Sequence, residues 1–564
     1  MKFRSKIFIL AILVIIITLT GNVIAYEEKY ERSETLVYGG GLWTSPTNWN
    51  PLTPWEEVTG TSGLVYERLF HYYPLEGEYQ PWLAENGEWV AENIFELELR
   101  KGIQWTDGET FDARDVVFTF ELAKENEELY YADAWDWIND ITVLNSHKIR
   151  FVFSEPHHQQ WNQLLSELSI IPRHIWDDIS DSQLLTTNNE NPVGTGPYVV
   201  EEVADDYIVW ERNENWWGKE TFGTPTPRYL VNIIVAENHV ALGMLMKGEL
   251  DLSNFFTPGV PELKRRYDLE TWYEDSPYML PHNTSMLFFN TLIEPMDDPD
   301  FRWAAAYAID RDAIVTEVYD NQVEASNPTG LFGTDWMTYY NEEAVEDHGF
   351  SYDPKMAERI LRINEYRDRN GDGWRQTPDG NDIELDIIVP YGWTDWMDSI
   401  RIIAENLQEI GINANARFPD VEEYEDRLYS AEFDMAINNY GSIRSGNPYT
   451  YWDWVANSNI NQETVTEGNF GRYNNPELFE LITTLNTYRG NESPAREAAK
   501  EIQEILLRDI PSVPLWHNGM WAQSTTEYWE NWPTENNPTG YPSTWSETWQ
   551  FGAIEMLINL EKAK

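Results

Sequence analysis

Strand-type and helix-type patterns replace one another along nearly the whole chain, and this alternation limits the fold more than any other feature. Residues 36–38, 94–99 and 148–153 read as strands, whereas 59–70, 112–123, 161–169 and 240–246 read as helices. A Gly-rich turn and hairpin are expected over 191–218, and a strand over 250–252. Residues 286–319 read as a strand, a Pro/Asp loop and one long helix. Then follow a helix over 355–365, a strand over 383–389, a helix over 399–410, a strand over 433–438 and a helix over 494–509 that stops before Pro511. Alternation of this kind predicts α/β layers. Neither an internal repeat nor a low-complexity tract is present.

With 564 residues and no cysteine, the chain must draw its stability from core size, and more than one domain is expected. Disulfides and a lipid anchor on an N-terminal cysteine are both excluded. The basic start (Lys2, Arg4, Lys6), the apolar run 7–19 and the small residue Ala25 predict an export signal cleaved after Ala25. An uncleaved anchor is the alternative, since 7–25 is barely long enough to span a bilayer, but Gly21 and Asn22 favour cleavage. A periplasmic or extracellular location follows. The 39 basic and 96 acidic residues leave a net charge of −57, which excludes nucleic acid and anionic membranes as partners.

Of the 27 tryptophans, seven recur in three polar, turn-rich stretches: 39–55, 391–398 and 514–521. An indole offers a flat apolar face and one N–H donor, which suits a ligand with apolar faces and a hydroxyl rim, as a pyranose has. Packing of a large core is the competing use for each of them.

Three segments carry a family resemblance. LRKGIQWTDGETFDARDVVFTFE (99–121), PVGTGPYVV (192–200) and FFNTLIEPMDDPDFRWAAAYAIDRDAIV (288–315) resemble, in this order, the family 5 solute-binding proteins of ABC importers. That family includes oligopeptide, dipeptide, nickel and β-glucoside binders. The resemblance implies a two-lobed, type II periplasmic-binding-protein-like fold with an extra domain inserted in the N-terminal lobe. It further implies a ligand enclosed between the lobes, presentation to permease subunits, and no enzymatic activity; a monomer is expected. After a signal at 1–25, lobe I would comprise 26–80, 192–286 and 515–564, the inserted domain 81–191, and lobe II 287–514.

Peptide binders of the family hold the peptide amine with an acidic residue in a Trp-x-Ala-Asp-Tyr-like stretch. Here 438–454 carries amides, Ser442 and Arg444 instead, which removes the partner of a free ammonium. The 41–51 segment and the Trp-rich tail are similar to the subgroup that binds cellobiose and related β-linked oligosaccharides in heat-loving prokaryotes. The expected ligand is therefore a cello- or manno-oligosaccharide. Trp43, Trp49, Trp393, Trp396 and Trp516 are candidate stacking platforms, and Asn48, Asn254, Asp395, Asn439, Arg444, His517 and Asn518 candidate polar contacts. An oligopeptide or dipeptide ligand is the alternative. A secreted glycoside hydrolase is a remote one, because among 96 acidic residues a carboxylate pair has no specificity.

No cofactor is expected apart from a possible structural Ca²⁺. In DRNGDGWRQTPD (368–379), Asp368, Asn370, Asp372, the Trp374 carbonyl, Gln376 and Asp379 stand at EF-hand loop spacing. Asp replaces the final bidentate Glu and a strand follows, so a plain Asp/Gly turn competes. Adjacent His157 and His158 read as a solvated pair, which disfavours nickel.

Overall fold

The computed structural model describes residues 29–564 apart from 44, 55, 441, 442, 444, 467, 491, 546–548, 550 and 551. The expected signal and Arg444 lie outside the described residues. Among those described, no helix is long and apolar enough to cross a membrane.

Two mixed sheets form the two lobes. The first has seven strands, in the order Leu269–Glu270, Gln523–Thr525, Leu252–Ser253, Thr35–Gly39, Tyr229–Ile233, Tyr207–Arg212, Tyr198–Val203. Thr35–Gly39 runs parallel to both neighbours and is buried at every position, which explains its short unbroken apolar sequence. The second sheet has six strands, in the order Glu324–Ala325, Ser512–Met520, Leu280–Phe289, Met435–Asn439, Glu384–Ile388, Asn413–Arg417. The chain passes between the sheets at 271–279 and again at 521–522. Leu280–Phe289 and Ser512–Met520 pair antiparallel, so the two crossings lie side by side like a hinge. Expected lobe limits at 286 and 514 fall within these two strands.

A separate four-stranded antiparallel sheet (Ala84–Ala91, Ile94–Leu99, Lys148–Phe153, Ile138–Asn145) is backed by the helix Ala113–Glu125. Asp112 and Asp115 close a reciprocal capping box at that helix start. Glu67 joins this unit to the first lobe. Its buried carboxylate accepts indole N–H bonds from Trp82 (2.8 Å), Trp216 (3.0 Å) and Trp217 (2.7 Å).

Several expectations are corrected. No helix forms over 59–70: Thr61–Val65 make one wide turn, Gly63 has φ 108°, and Phe70–Tyr73 is a strand. The Val65 carbonyl accepts from Gly196 N–H instead of from a following helical turn. Tertiary pairing thus overrides the local apolar pattern. The long helix before 319 splits into Pro299–Ala308 and Arg311–Glu317, because Ile309 is extended and Asp310 caps the second piece through Ala313 N–H. The helix Thr394–Glu409 starts ahead of the expected 399. His157 and His158 are not a solvated pair. His157 stacks on Trp137, and His158 is buried beside Arg489, with burial lowering its pKa to about 4.

Candidate functional site

A cavity of about 240 Å³ opens between the two sheets beside the hinge. Gly41, Trp43, Asn238, Asn254, Phe255, Phe256 and Trp545 reach it from the first lobe, and Asn283, Trp393, Asp395, Trp396, Asn439 and Asn518 from the second; Trp521, at the crossing, completes it. The lining is thus five indoles, two phenyl rings, five carboxamides, one glycine and one carboxyl group.

The amides of the second lobe are ordered by strand register. Asn283 and Asn518 stand opposite one another on neighbouring strands, and Asn439 ends the next strand, opposite Ser285. Residues two apart on a strand share a face, so this pairing makes a shelf of carboxamides across three inner strands at one end of the sheet. Each carboxamide both donates and accepts, as a sugar hydroxyl does.

The aromatic walls come from both lobes. Trp43 lies 6.0 Å from Trp393 across the cleft, and Trp393 packs edge-on against Trp396 at 4.9 Å. Trp43 remains 38% exposed, so its ring is accessible at the lip, whereas Trp396 is buried behind Trp393. On the same lip the chain turns at Gly392, with φ 93° and an added Cβ only 3.3 Å from the Ala236 carbonyl of the opposite lobe. Glycine permits that approach.

Among the described residues, Asp395 is the only ionisable side chain lining the cavity. It sits in the first turn of Thr394–Glu409. One oxygen accepts from Asn238 Nδ2 of the opposite lobe (3.1 Å), and the other from Tyr319 Oη (3.3 Å). Burial raises its pKa to about 6, with those hydrogen bonds opposing the shift. Asp395 is therefore committed to a bond between the lobes.

The structure brings Trp43, Asn254, Trp393, Asp395, Trp396, Asn439 and Asn518 together, and leaves four other candidates elsewhere. Asn48 closes its own loop through Thr53 and the Asn50 N–H. Trp49 is 4% exposed inside the first lobe's core. Trp516 is fully buried against Tyr319, and His517 faces the opposite side of the sheet, against Thr284 and Phe332. Alternation along Ser512–Met520 explains the split: Trp516 and Asn518 share a face, but only the later one lies near the end of the strand, where the cavity opens.

The 368–379 loop is closed by its own hydrogen bonds. Asp368 accepts from Gly371 N–H and Gly373 N–H, and Asn370 donates to Asp372. Trp374 N–H donates to Asp372, while the buried Gln376 accepts from Arg369 N–H. Asp379 lies exposed at the far end. Among the described residues no group of three or more acidic, His or Cys side chains is arranged to hold a metal.

Sequence reasoning missed Asn238, Asn283, Phe255, Phe256, Trp521 and Trp545. Trp521 lay in the 514–521 cluster and Trp545 in the Trp-rich tail, so a signal existed for both. Asn238 and Asn283 carry none: the first starts a helix and the second sits mid-strand, and only the closed cleft brings them to the site.

The model of the bacterial extracellular solute-binding proteins, family 5 middle region, matches residues 78–462. A mannohexaose-bound periplasmic oligopeptide-binding protein of an ABC transporter from Thermotoga maritima is 47% identical. The match covers 94% of this chain and 99% of that one, with a TM-score of 0.91. Heme-binding protein A of Haemophilus influenzae is 25% identical over 519 residues, 87% of this chain and 88% of the relative. The oligopeptide-binding protein AppA of Bacillus subtilis, solved with a nonapeptide, is 19% identical with a TM-score of 0.77 over 94% of this chain and 99% of that one; it shares the fold. These likenesses give the two lobes their type: the fold is that of type II periplasmic binding proteins. With most of its length matched by that model, the chain belongs to family 5 of the bacterial extracellular solute-binding proteins.

Proposed function

We propose that this solute-binding protein of an ABC importer takes a β-linked oligosaccharide, of the cello- or manno-oligosaccharide class, between its lobes and delivers it unchanged to the permease. The observation that carries this reading is the lining of the cavity, in which, among the described residues, one carboxyl group is the only ionisable side chain. Indole faces and carboxamides surround it, and the one carboxyl group already accepts from Asn238 and Tyr319. Among the described residues that lining offers a peptide's carboxylate no cation, and its carboxyl group is already engaged, so burying a peptide's charges there carries a desolvation cost that a neutral sugar avoids. The Thermotoga maritima relative, at 47% identity, holds mannohexaose. We further propose that the signal is cleaved after Ala25 and that the mature protein acts as a monomer.

A melting-temperature panel tests the reading. A ligand that binds only the folded state raises the midpoint by mass action. Mannohexaose, cellohexaose or both should raise it, while dipeptides and a nonapeptide leave it in place. A rise with peptides alone would overturn the proposal in favour of the peptide-binding members of the family.

A further inference from the structure

Asn254 lines the cavity, yet its carboxamide has nothing left to offer a ligand. Nδ2 donates to the Trp521 carbonyl (2.6 Å) and to the Pro542 carbonyl (2.9 Å). Oδ1 accepts from Thr544 N–H (3.0 Å) and from Thr544 Oγ1 (2.9 Å). Two donors and two acceptor sites are the whole capacity of a carboxamide, and all four are used. The side chain is 2% exposed, and an added Cβ at Gly40 would stand 2.6 Å from its Cβ, so the amide has no room to turn.

Its backbone is equally engaged. Asn254 N–H donates to the Gly39 carbonyl (2.8 Å), at the end of the central strand of the first lobe. The Asn254 carbonyl accepts from Trp545 Nε1 (3.2 Å). Trp545 is one of the five indoles of the cavity, and its ring lies 5.2 Å from His282 on the hinge strand Leu280–Phe289. Trp521 follows directly on the other hinge strand. One residue therefore links the first lobe's sheet, the second crossing and the 542–545 loop.

We infer that Asn254 is a positioning residue: it contacts no ligand through its side chain, but holds Trp545 in the cleft and fixes that indole to the hinge. This rests in part on the carbohydrate reading above, because Trp545 matters to affinity only if the ligand packs on it. The placement of Trp545 itself does not depend on any ligand.

Two measurements test this on the full-length mature protein. In protein labelled with 5-fluorotryptophan, the ¹⁹F resonance of residue 545 is assigned by its loss in Trp545→Phe. Asn254→Ala should shift or broaden that resonance without ligand; an unchanged signal overturns the inference. In calorimetric titration with mannohexaose, Asn254→Ala should lose about tenfold in affinity on the wild-type background but less than about twofold on Trp545→Phe, the signature of a residue that acts through another. Equal losses on both backgrounds would show that Asn254 acts independently of Trp545, and the inference fails. If Asn254→Ala does not fold, Asn254→Asp is read the same way, since it keeps the acceptor for Thr544 and loses both donations. If the wild type binds cellohexaose but not mannohexaose, the titration uses cellohexaose; binding of neither would count against the carbohydrate reading, and the ¹⁹F result would then decide the inference alone.

Discussion

Trp516 and Trp393 were equal candidates in the sequence, and burial separates them. Among the described residues, twelve tryptophans, Trp516 among them, are the largest fully buried side chains, while five line the cavity. Composition announced the abundance of indoles but could not divide them, because the same flat ring serves a core and a sugar face. Trp393→Ala or Trp43→Ala should weaken oligosaccharide binding by about 1–3 kcal/mol with little change in melting temperature. Trp516→Ala should instead lower stability by about 3–5 kcal/mol. Titration and chemical denaturation of each variant check this, and a stable Trp516→Ala with lost binding would reverse the assignment. Glu67 allows a pH prediction. Burial among three indoles raises its pKa to about 7, from 4.5 in an exposed carboxyl. The folded state thus holds this proton more tightly than the unfolded chain does. The corresponding stability is present in full below about 4.5 and is lost as pH rises through about 7. Melting curves across that interval should fall with pH, and the fall should be shallower in Glu67→Gln; identical slopes would contradict this.

Most elements were legible because local pattern and tertiary environment agree. Lys148–Phe153 matches its expected limits, and Ala113–Glu125 begins one residue after the acidic start read for it. The failure at 59–70 has a definite cause. The backbone there is set by the Gly-rich turn at 194–196, where added Cβ atoms would stand 1.9 Å from the Val65 carbonyl and 2.2 Å from the Leu64 carbonyl. Those glycines are needed for close backbone approach, a contact between segments far apart in sequence that no periodicity within 59–70 reports. Gly196→Ala should therefore cost about 1–3 kcal/mol or more, read from the urea midpoint. An unchanged midpoint would show that the two segments can separate without penalty. The missed start at Thr394 matters more for the site, because the first turn of that helix carries Asp395 and Trp396 to the cleft.

At the scale of the whole molecule the described arrangement is a closed one. The lobes meet at Asn238–Asp395 and at Trp43–Trp393. The four-stranded unit touches the second lobe where Gln159 Nε2 donates to the Tyr488 carbonyl (2.6 Å) and Gln160 N–H to Asn486 (2.9 Å). None of these contacts was legible in the sequence, since each depends on how two separately folded bodies come to rest. Asn238→Ala removes the two bonds that its amide donates across the cleft, to Thr394 Oγ1 (3.2 Å) and Asp395 Oδ1 (3.1 Å), which exist only when the lobes are shut. It should shift the ligand-free ensemble toward open forms, raise the radius of gyration in small-angle scattering, and lower sugar affinity about three- to tenfold. Unchanged scattering and affinity would show that these bonds do not bias closure. The central claim is that indoles and carboxamides select an uncharged glycan, and calorimetric titration of the mature protein with mannohexaose, cellohexaose and a nonapeptide tests it most directly. The account predicts stoichiometric binding of at least one hexasaccharide, with a negative heat-capacity change from buried apolar surface, and no heat from the peptide. Saturable binding of the peptide with neither sugar bound would contradict it.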